Sequence, residues 1–389
     1  MRLCLLLAAA AGARARLAPR DREIARLTGG RRLSDSNPGV SFEQLVKMTA
    51  SDAALDDRFG RSVAVDGDTI VIGAYGDDDE TGAVYVLRAS DGEELAKLTA
   101  SDAAAIDRFG KSVAIDGGTI VVGAHWKNSY TGAVYVFRTS DGGASYGQEA
   151  TLTASDAAAG DFFGRSVAIA GATIVVGTWG GEAAYIFHTS DGGATYVELS
   201  KLTADDAASW DDFGFSVAID GATVVVGAVQ KNSGGSSVAY VFRTSDGGAT
   251  YNQVAKLTAS DAAAGDDFGR GGLAIVGDTV FVGARYDDDA AFNSGAVYVF
   301  RTSDGGATYA EVAKLTQADA TGYDNFGFSL AIDGDTLVIG AFGHSAGHIG
   351  AAYIFRTSDS GATYDQVAKL TAADGVAGDN IGWSVAIDG

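Results

Sequence analysis

A Phe-Gly pair followed by an apolar run recurs through this chain at Phe59-Gly60, Phe109-Gly110, Phe163-Gly164, Phe213-Gly214, Phe268-Gly269 and Phe326-Gly327, with Ile381-Gly382 as a seventh, altered copy. The copies stand 50 to 58 residues apart. A unit of that size repeated in tandem buries its apolar face against the next copy of itself, so the period decides the architecture where the length of 389 residues leaves it open.

The second unit reads as four strands, called A to D: Ser112 to Asp116, Thr119 to Ala124, Ala133 to Arg138, and Gln148 to Ala154. Strands B and C, with Thr119-Ile120-Val121-Val122 and Val134-Tyr135-Val136-Phe137, lack polar alternation and suit sheets buried on both faces. Strand A carries small residues such as Ser112 and Ala114, as the crowded centre of a radial array requires. Strand D carries Lys97, Lys201, Lys256, Lys314 and Lys369 at one recurring position, the signature of an outer edge guarded against pairing. The reading is an all-β propeller of four-stranded antiparallel blades. A solenoid is the alternative, but its turns usually take about half this period.

With 47% hydrophobic residues, 54 Gly and only 2 Pro, the chain has the material for a packed core and many tight turns. Its net charge of -22 repels nucleic acid and anionic membrane surfaces. The basic character is confined to residues 1–32, where eight Arg oppose Asp21 and Glu23, so the repeats are more acidic still. Residues 1–15, with an apolar run from Leu3 to Gly12 and Ala13-Arg14-Ala15 after it, read as a signal peptide, and 16–41 as a basic linker or propeptide before a propeller at 42–389. The expected localisation is secreted or cell-surface, with no membrane span. The single cysteine, Cys4, falls in the signal, which leaves no disulfide or thiol chemistry.

The succession Phe-Gly, Ser-Val-Ala, Val-Val-Gly-Ala from Phe109 to Ala124 resembles the FG-GAP repeats of integrin α-subunit propellers and their looser microbial and algal relatives. The residues after Gly73-Ala74, Gly123-Ala124, Gly227-Ala228, Gly283-Ala284 and Gly340-Ala341 are Tyr, His, Val, Arg and Phe, closer to the looser relatives. Between strands C and D, Thr139-Ser140-Asp141-Gly142-Gly143-Ala144-Ser145-Tyr146 resembles the Asp-box turn of sialidase-type propellers. It recurs around Asp191, Asp246, Asp304 and Asp359. An Asp accepting backbone N–H bonds beside a Gly at φ > 0 closes such a turn, so its expected role is structural.

Calcium is the one candidate cofactor. Asp77 with Asp79, and Asp287 with Asp289, each offer two carboxylates on one side of an extended B-to-C loop. Integrin propellers hold calcium in a longer A-to-B loop, whereas here that connection is as short as Asp66-Gly67-Asp68, so the resemblance does not carry its metal site over. The D-to-A connections hold paired acids, such as Asp102 with Asp107 and Asp261 with Asp266. They leave the blade on the same side as the B-to-C loops, so one face of the disk is expected to be acidic, each Asp capping a turn.

No enzyme inventory is present. The Arg-Ile-Pro element of sialidases is absent, as are a nucleophile elbow and a phosphate loop. His344 and His348 lie in a Gly-rich loop and read as solvated. The expected function is therefore a non-enzymatic recognition or adhesion module presenting loops to an extracellular protein or glycan, with basic partners suiting the acidic face. A carbohydrate-active enzyme, a glycoside hydrolase or lyase, is the alternative, with Trp126, Tyr130, Trp179 and Trp210 placed to stack on sugars.

The ends leave an orphan strand D, Phe42 to Ala50, and an orphan strand A, Trp383 to Asp388. Six complete blades plus an incomplete seventh are expected, the seventh lacking the roughly 25 to 30 residues of its B and C strands in a truncated chain. A closed six-blade ring would instead place the first and sixth units in contact.

Overall fold

The β-branched runs of strands B and C pair at the centre of each sheet, and the small residues of strand A bring the sheets together around an axis. The structure is a computed structural model that describes residues 4–8, 44–229, 237–345 and 347–389. Six antiparallel sheets of four strands, in simple A-B-C-D order, span 62–98, 112–152, 166–202, 216–257, 268–315 and 329–370. In the second blade the strands are Ser112–Asp116, Thr119–Ala124, Ala133–Arg138 and Gly147–Leu152, within a residue or two of the expected bounds. Strands A and B close through two-residue hairpins such as Gly117-Gly118, which follow the pair Asp116 with Thr119. A bulge between strands C and D recurs at the same place in all six blades, between Val136 and Phe137 in the second.

Strands B and C are buried along their length, as in Thr119–Ala124, and each layer of apolar side chains between two blades forms one core cluster. The Phe of each full repeat sits in that layer. Phe109 is fully buried and meets Tyr135 and Phe137 edge-on, with ring centroids 5.5 and 5.9 Å apart. The glycines lock one blade to the next. Gly123 has no side chain because its Cα faces the Gly164 carbonyl of the following blade, and a Cβ there would overlap that oxygen. The same carbonyl accepts a bond from Ser112 Oγ at 2.9 Å, and the equivalent bond recurs from Ser62, Ser166, Ser216 and Ser329. The repeat motif is thus an inter-blade clasp. In blade five, Gly271-Gly272 adds a residue and a bulge, and no Ser completes it.

Strand A of each blade packs beside its neighbour's, and Ser384–Asp388 packs against the inner strands of both blade six and blade one. Ser329 Oγ donates to Gly382 O, and Val63 N donates to Ser384 Oγ. The seventh copy therefore supplies a seventh inner strand. Residues 44–50 follow the outer path beside blade one, where Ala50 is buried like Ala100 and Ala154. The expected D strand at Phe42 to Ala50 is corrected: residues 44–50 form no ladder, because among the described residues no strand C stands beside them to pair, and Phe42 lies outside the described residues. Cys4–Ala8, which the sequence reading places in the signal, pairs antiparallel with Ser384–Asp388, and the expected cleavage point after Ala15 and the linker 16–41 lie outside the described residues. Among the described residues no helix is long and apolar enough to cross a membrane.

Candidate functional site

The D-to-A and B-to-C connections do converge on one face, where backbone bonds such as Trp126 N to Asp107 O tie them together. The paired acids of this face divide the work. The second of each pair caps its own turn: Asp57, Asp107, Asp161, Asp211, Asp266, Asp324 and Asp379 each accept the backbone N–H three residues earlier. The first accepts the hydroxyl of the strand-C tyrosine, as Asp102 does from Tyr135 at 2.6 Å and Asp206 from Tyr240 at 2.7 Å. It also takes the strand-D lysine, as in Lys97 with Asp52, Lys201 with Asp156 and Lys369 with Asp319. The lysine row read as edge protection is therefore the cationic member of a Tyr–Asp–Lys set.

Blade two shows the rule by exception. Its strand D has Thr151 at the lysine position, opposite Tyr135, and the cation comes instead from Lys127 in the B-to-C loop. Lys127 Nζ is buried 2.9 Å from Asp107 and 3.3 Å from Asp102. In blade six the same loop position holds His344, which is buried rather than solvated: its ring lies against Lys369, Tyr353 and Asp324. His348 is exposed. Lys231 and Asn232 lie outside the described residues.

The candidate calcium ligands occupy this same network. Asp77 is buried against Lys97 at 2.9 Å, while Asp79 is exposed. The segment Asp77–Glu80 is a single turn with left-handed φ at Asp78 and Asp79, not an extended strand, so the alternation that would align the two carboxylates does not hold. Asp287 and Asp289 do converge, with Asp261 as a third carboxylate. Lys314 Nζ stands among them at 2.7, 2.8 and 2.6 Å from Asp261, Asp287 and Asp289, in the space a cation would take. Burial opposes its charge, yet the hydrogen bonds to Asp261, Asp287 and Asp289 hold its pKa above the usual lysine value. The A-to-B hairpins are too short for a calcium loop of the integrin type.

The turns between strands C and D are closed by their own side chains. Asp141 accepts from Thr139 Oγ1, Ser145 N and Ser145 Oγ, and Gly143 N donates to Thr139 Oγ1. The set recurs at Asp191, Asp246, Asp304 and Asp359. Bonds from Ser145, then Thr139, pull the Asp141 pKa down to about 2, and the other four are pulled down likewise. Arg138 of strand C reaches the turn carbonyl Gly192 of the next blade, and Arg243 reaches Gly305, so the turns also join blades.

Two features of the loop face escape a motif search. One is a row of partly exposed aromatic rings, Trp126, Tyr130, Phe162, Trp179 and Phe215, in successive contact at centroid distances of 5.2, 5.4, 5.0 and 6.2 Å. The other is the residue after each Phe-Gly. Those positions hold Arg61, Lys111, Arg165 and Arg270, with Phe215, Phe328 and Trp383 at the remaining three, at the start of otherwise small inner strands. They ring the loop-face mouth of an axial channel of about 280 Å³ lined by Val, Ala, Ile and Leu of the inner strands. The signal was in the sequence, since a bulky residue in a crowded strand needs a reason.

No curated protein sequence matches the chain. Among solved structures, a Bacteroides fragilis NCTC 9343 protein provisionally named a 6-phosphogluconolactonase aligns at TM-score 0.57 and 12% identity, covering 90% of this chain and 91% of its own. A Lactobacillus plantarum protein aligns at TM-score 0.54 and 13% identity, covering 90% and 92%. At such identity these likenesses show the propeller fold alone. The model of the FG-GAP repeat matches residues 42–87, 93–137, 146–198, 196–242, 251–300, 309–355 and 364–389. Each full match carries one outer strand and the clasp that follows it, and together they take in nearly all of the propeller: the chain belongs to the FG-GAP repeat family.

Proposed function

We propose that this protein is a non-catalytic recognition module whose loop face binds a glycan. One observation carries the reading. The residue before each turn-capping Asp has φ > 0, and three repeats place glycine there, Gly160, Gly265 and Gly378. Two others place Trp210 and Tyr323, at φ of 76° and 69°, with 68% and 55% of their surface exposed. A bulky residue in the left-handed region costs about 1–2 kcal/mol, and an exposed ring recovers little of that by packing. A large flat ring held in solvent at such a cost suits stacking on a sugar face, as does the aromatic row from Trp126 to Phe215.

The acids of the face support the same reading, because the Tyr–Asp–Lys sets engage them as structure rather than leaving a paired acid and base. The name of the B. fragilis protein points to a catalytic propeller, at 12% identity. A glycan array tests the proposal. Wild-type protein is expected to bind without turnover, and Trp210→Gly and Tyr323→Gly are expected to lose binding while melting at a higher temperature than wild type. Release of sugar from a bound glycan would replace the reading with the enzymatic one, and unchanged binding by both variants would remove it. Running the array with and without calcium tests the cofactor, since an ion at Asp287 and Asp289 has to displace Lys314. A melting curve indifferent to chelator removes calcium from the proposal.

A further inference from the structure

Arg61, Lys111 and Arg165 immediately precede three consecutive inner strands and crowd the mouth of the axial channel. Among the described residues none of the three has a carboxylate within 4.0 Å, whereas Arg270 and Arg285, on the same rim, share Asp267 at 3.2 and 2.7 Å. The Nε of Arg61 is buried without a hydrogen-bond partner, as is Nδ1 of His125 behind them. Aromatic faces hold the guanidiniums in place: Arg61 lies 3.2 Å over Trp383, and Arg165 lies 4.0 Å over Phe215. Crowded cations held rigidly and short of counter-charge are costly to the free protein, and in a chain of net charge -22 partners of opposite sign were available. Each cation feels the others. Burial first, then Arg270, Arg61 and Arg285, lower the Arg165 pKa to about 10, although Asp212 offsets part of this. Burial, then Arg165, Arg61 and Arg108, push Lys111 well below the usual lysine value. His125 falls to about 2 through burial and the same group of cations.

We propose that this mouth is an oxyanion site that takes the carboxylate or sulfate group of an acidic sugar. The oxyanion follows from the cations alone. The sugar rests on the glycan reading above and on the position of Phe215, which belongs both to the mouth and to the aromatic row leading to it. Planar guanidiniums with free N–H groups and an ammonium between them match an oxyanion's several acceptors. The acidic exterior does not cancel this, since charges beyond about 10 Å are screened in ordinary salt.

The test is thermal melting of the full chain with glucuronate, inorganic sulfate or glucose at matched ionic strength. Glucuronate and sulfate are expected to raise Tm, glucose is not, and a larger effect of glucuronate identifies the sugar acid rather than a free ion as the favoured ligand. Lys111→Gln and Arg165→Gln are expected to weaken the effect at least about tenfold, while each raises the Tm of the ligand-free protein by relieving repulsion. An equal shift from glucose, a shift that survives both substitutions, or no shift with either anion would overturn the proposal. Its failure is separable from that of the glycan reading: neutral glycans bound on the array with no anion effect leave recognition standing, and an anion effect without any glycan bound leaves the oxyanion site standing.

Discussion

At the scale of single residues, the loop face is a set of charge pairings whose members come from different repeats. Lys127 and Thr151 give the sharpest case. Lys127→Ala leaves Asp107 buried without its cation, a loss of about 3 kcal/mol. Adding Thr151→Lys is expected to restore part of it, because that position carries the cation in other blades; urea midpoints of the single and double variants measure the recovery, and none at all would mean the two positions are not exchangeable. The strand-D lysines were legible as a row but not as partners. Lys97 and Asp52 stand 45 residues apart, and only the folding of the four strands between them brings the strand-D lysine back over the loop that precedes strand A. His344 was misread for the same reason, since a Gly-rich loop looks solvated until Tyr353 and Lys369 fold over it. The Asp turns were legible because the bonds of each turn Asp lie within a few residues. For these the sign with pH is fixed. A carboxyl whose folded pKa lies below its unfolded value adds stability that is complete above the unfolded value, near 3.8 here, and is lost as pH falls through the folded one, about 2 at Asp141. Tm is therefore expected to fall between about pH 4 and pH 2, and Asp141→Asn to lower Tm at pH 7 while flattening that slope, a result that scanning calorimetry across pH can deny.

At the scale of elements, strand positions followed from pattern alone, because β-branched runs between glycine turns leave little choice of register. The bulge between strands C and D did not. Its extra residue lies on strand D, Glu149 in the second blade, opposite an unbroken apolar run of strand C that carries no sign of the slip. The Phe-Gly and Gly-Ala pairs were visible as a repeat, yet their purpose is visible only across the interface. Gly123 makes that purpose testable. Its φ is not in the left-handed region, so Gly123→Ala acts through sterics alone, setting a Cβ against Gly164 O and Ser112 Oγ. The expected cost is about 3 kcal/mol, the upper end for overpacking, because both obstacles belong to the clasp. Ser112→Ala removes one bond and is expected to cost about 1 kcal/mol. Equal effects from the two in denaturant unfolding would show that the blades can shift apart to admit a methyl group.

At the scale of the whole molecule, a ring of repeats shares its stability between neighbours, so damage at one position should spread only to the blades beside it. The position to test is the seventh inner strand. Residues 381–389 place Gly382 against Gly340, Ser384 against Val63, and Trp383 against both Phe328 and Arg61, joining the last complete blade to the first. Val385 and Ile387 add apolar contacts to blade six, packing with Val338 and Ala352. The period of the repeat showed that a seventh copy was present, but not that it would bridge the two end blades, which depends on the angle between sheets. Deleting 381–389 is expected to open amide exchange in the inner strands of blades one and six, Ser62–Asp66 and Ser329–Asp333, while blades three and four keep their protection. Deleting residues 1–15 should leave all six four-stranded sheets protected, since Cys4–Ala8 forms its ladder with Ser384–Asp388 alone. Hydrogen exchange read by mass spectrometry separates these outcomes. Uniform loss of protection after the first deletion would mean that the ring unfolds as one unit, and no loss in blades one and six would mean that they hold without the bridge.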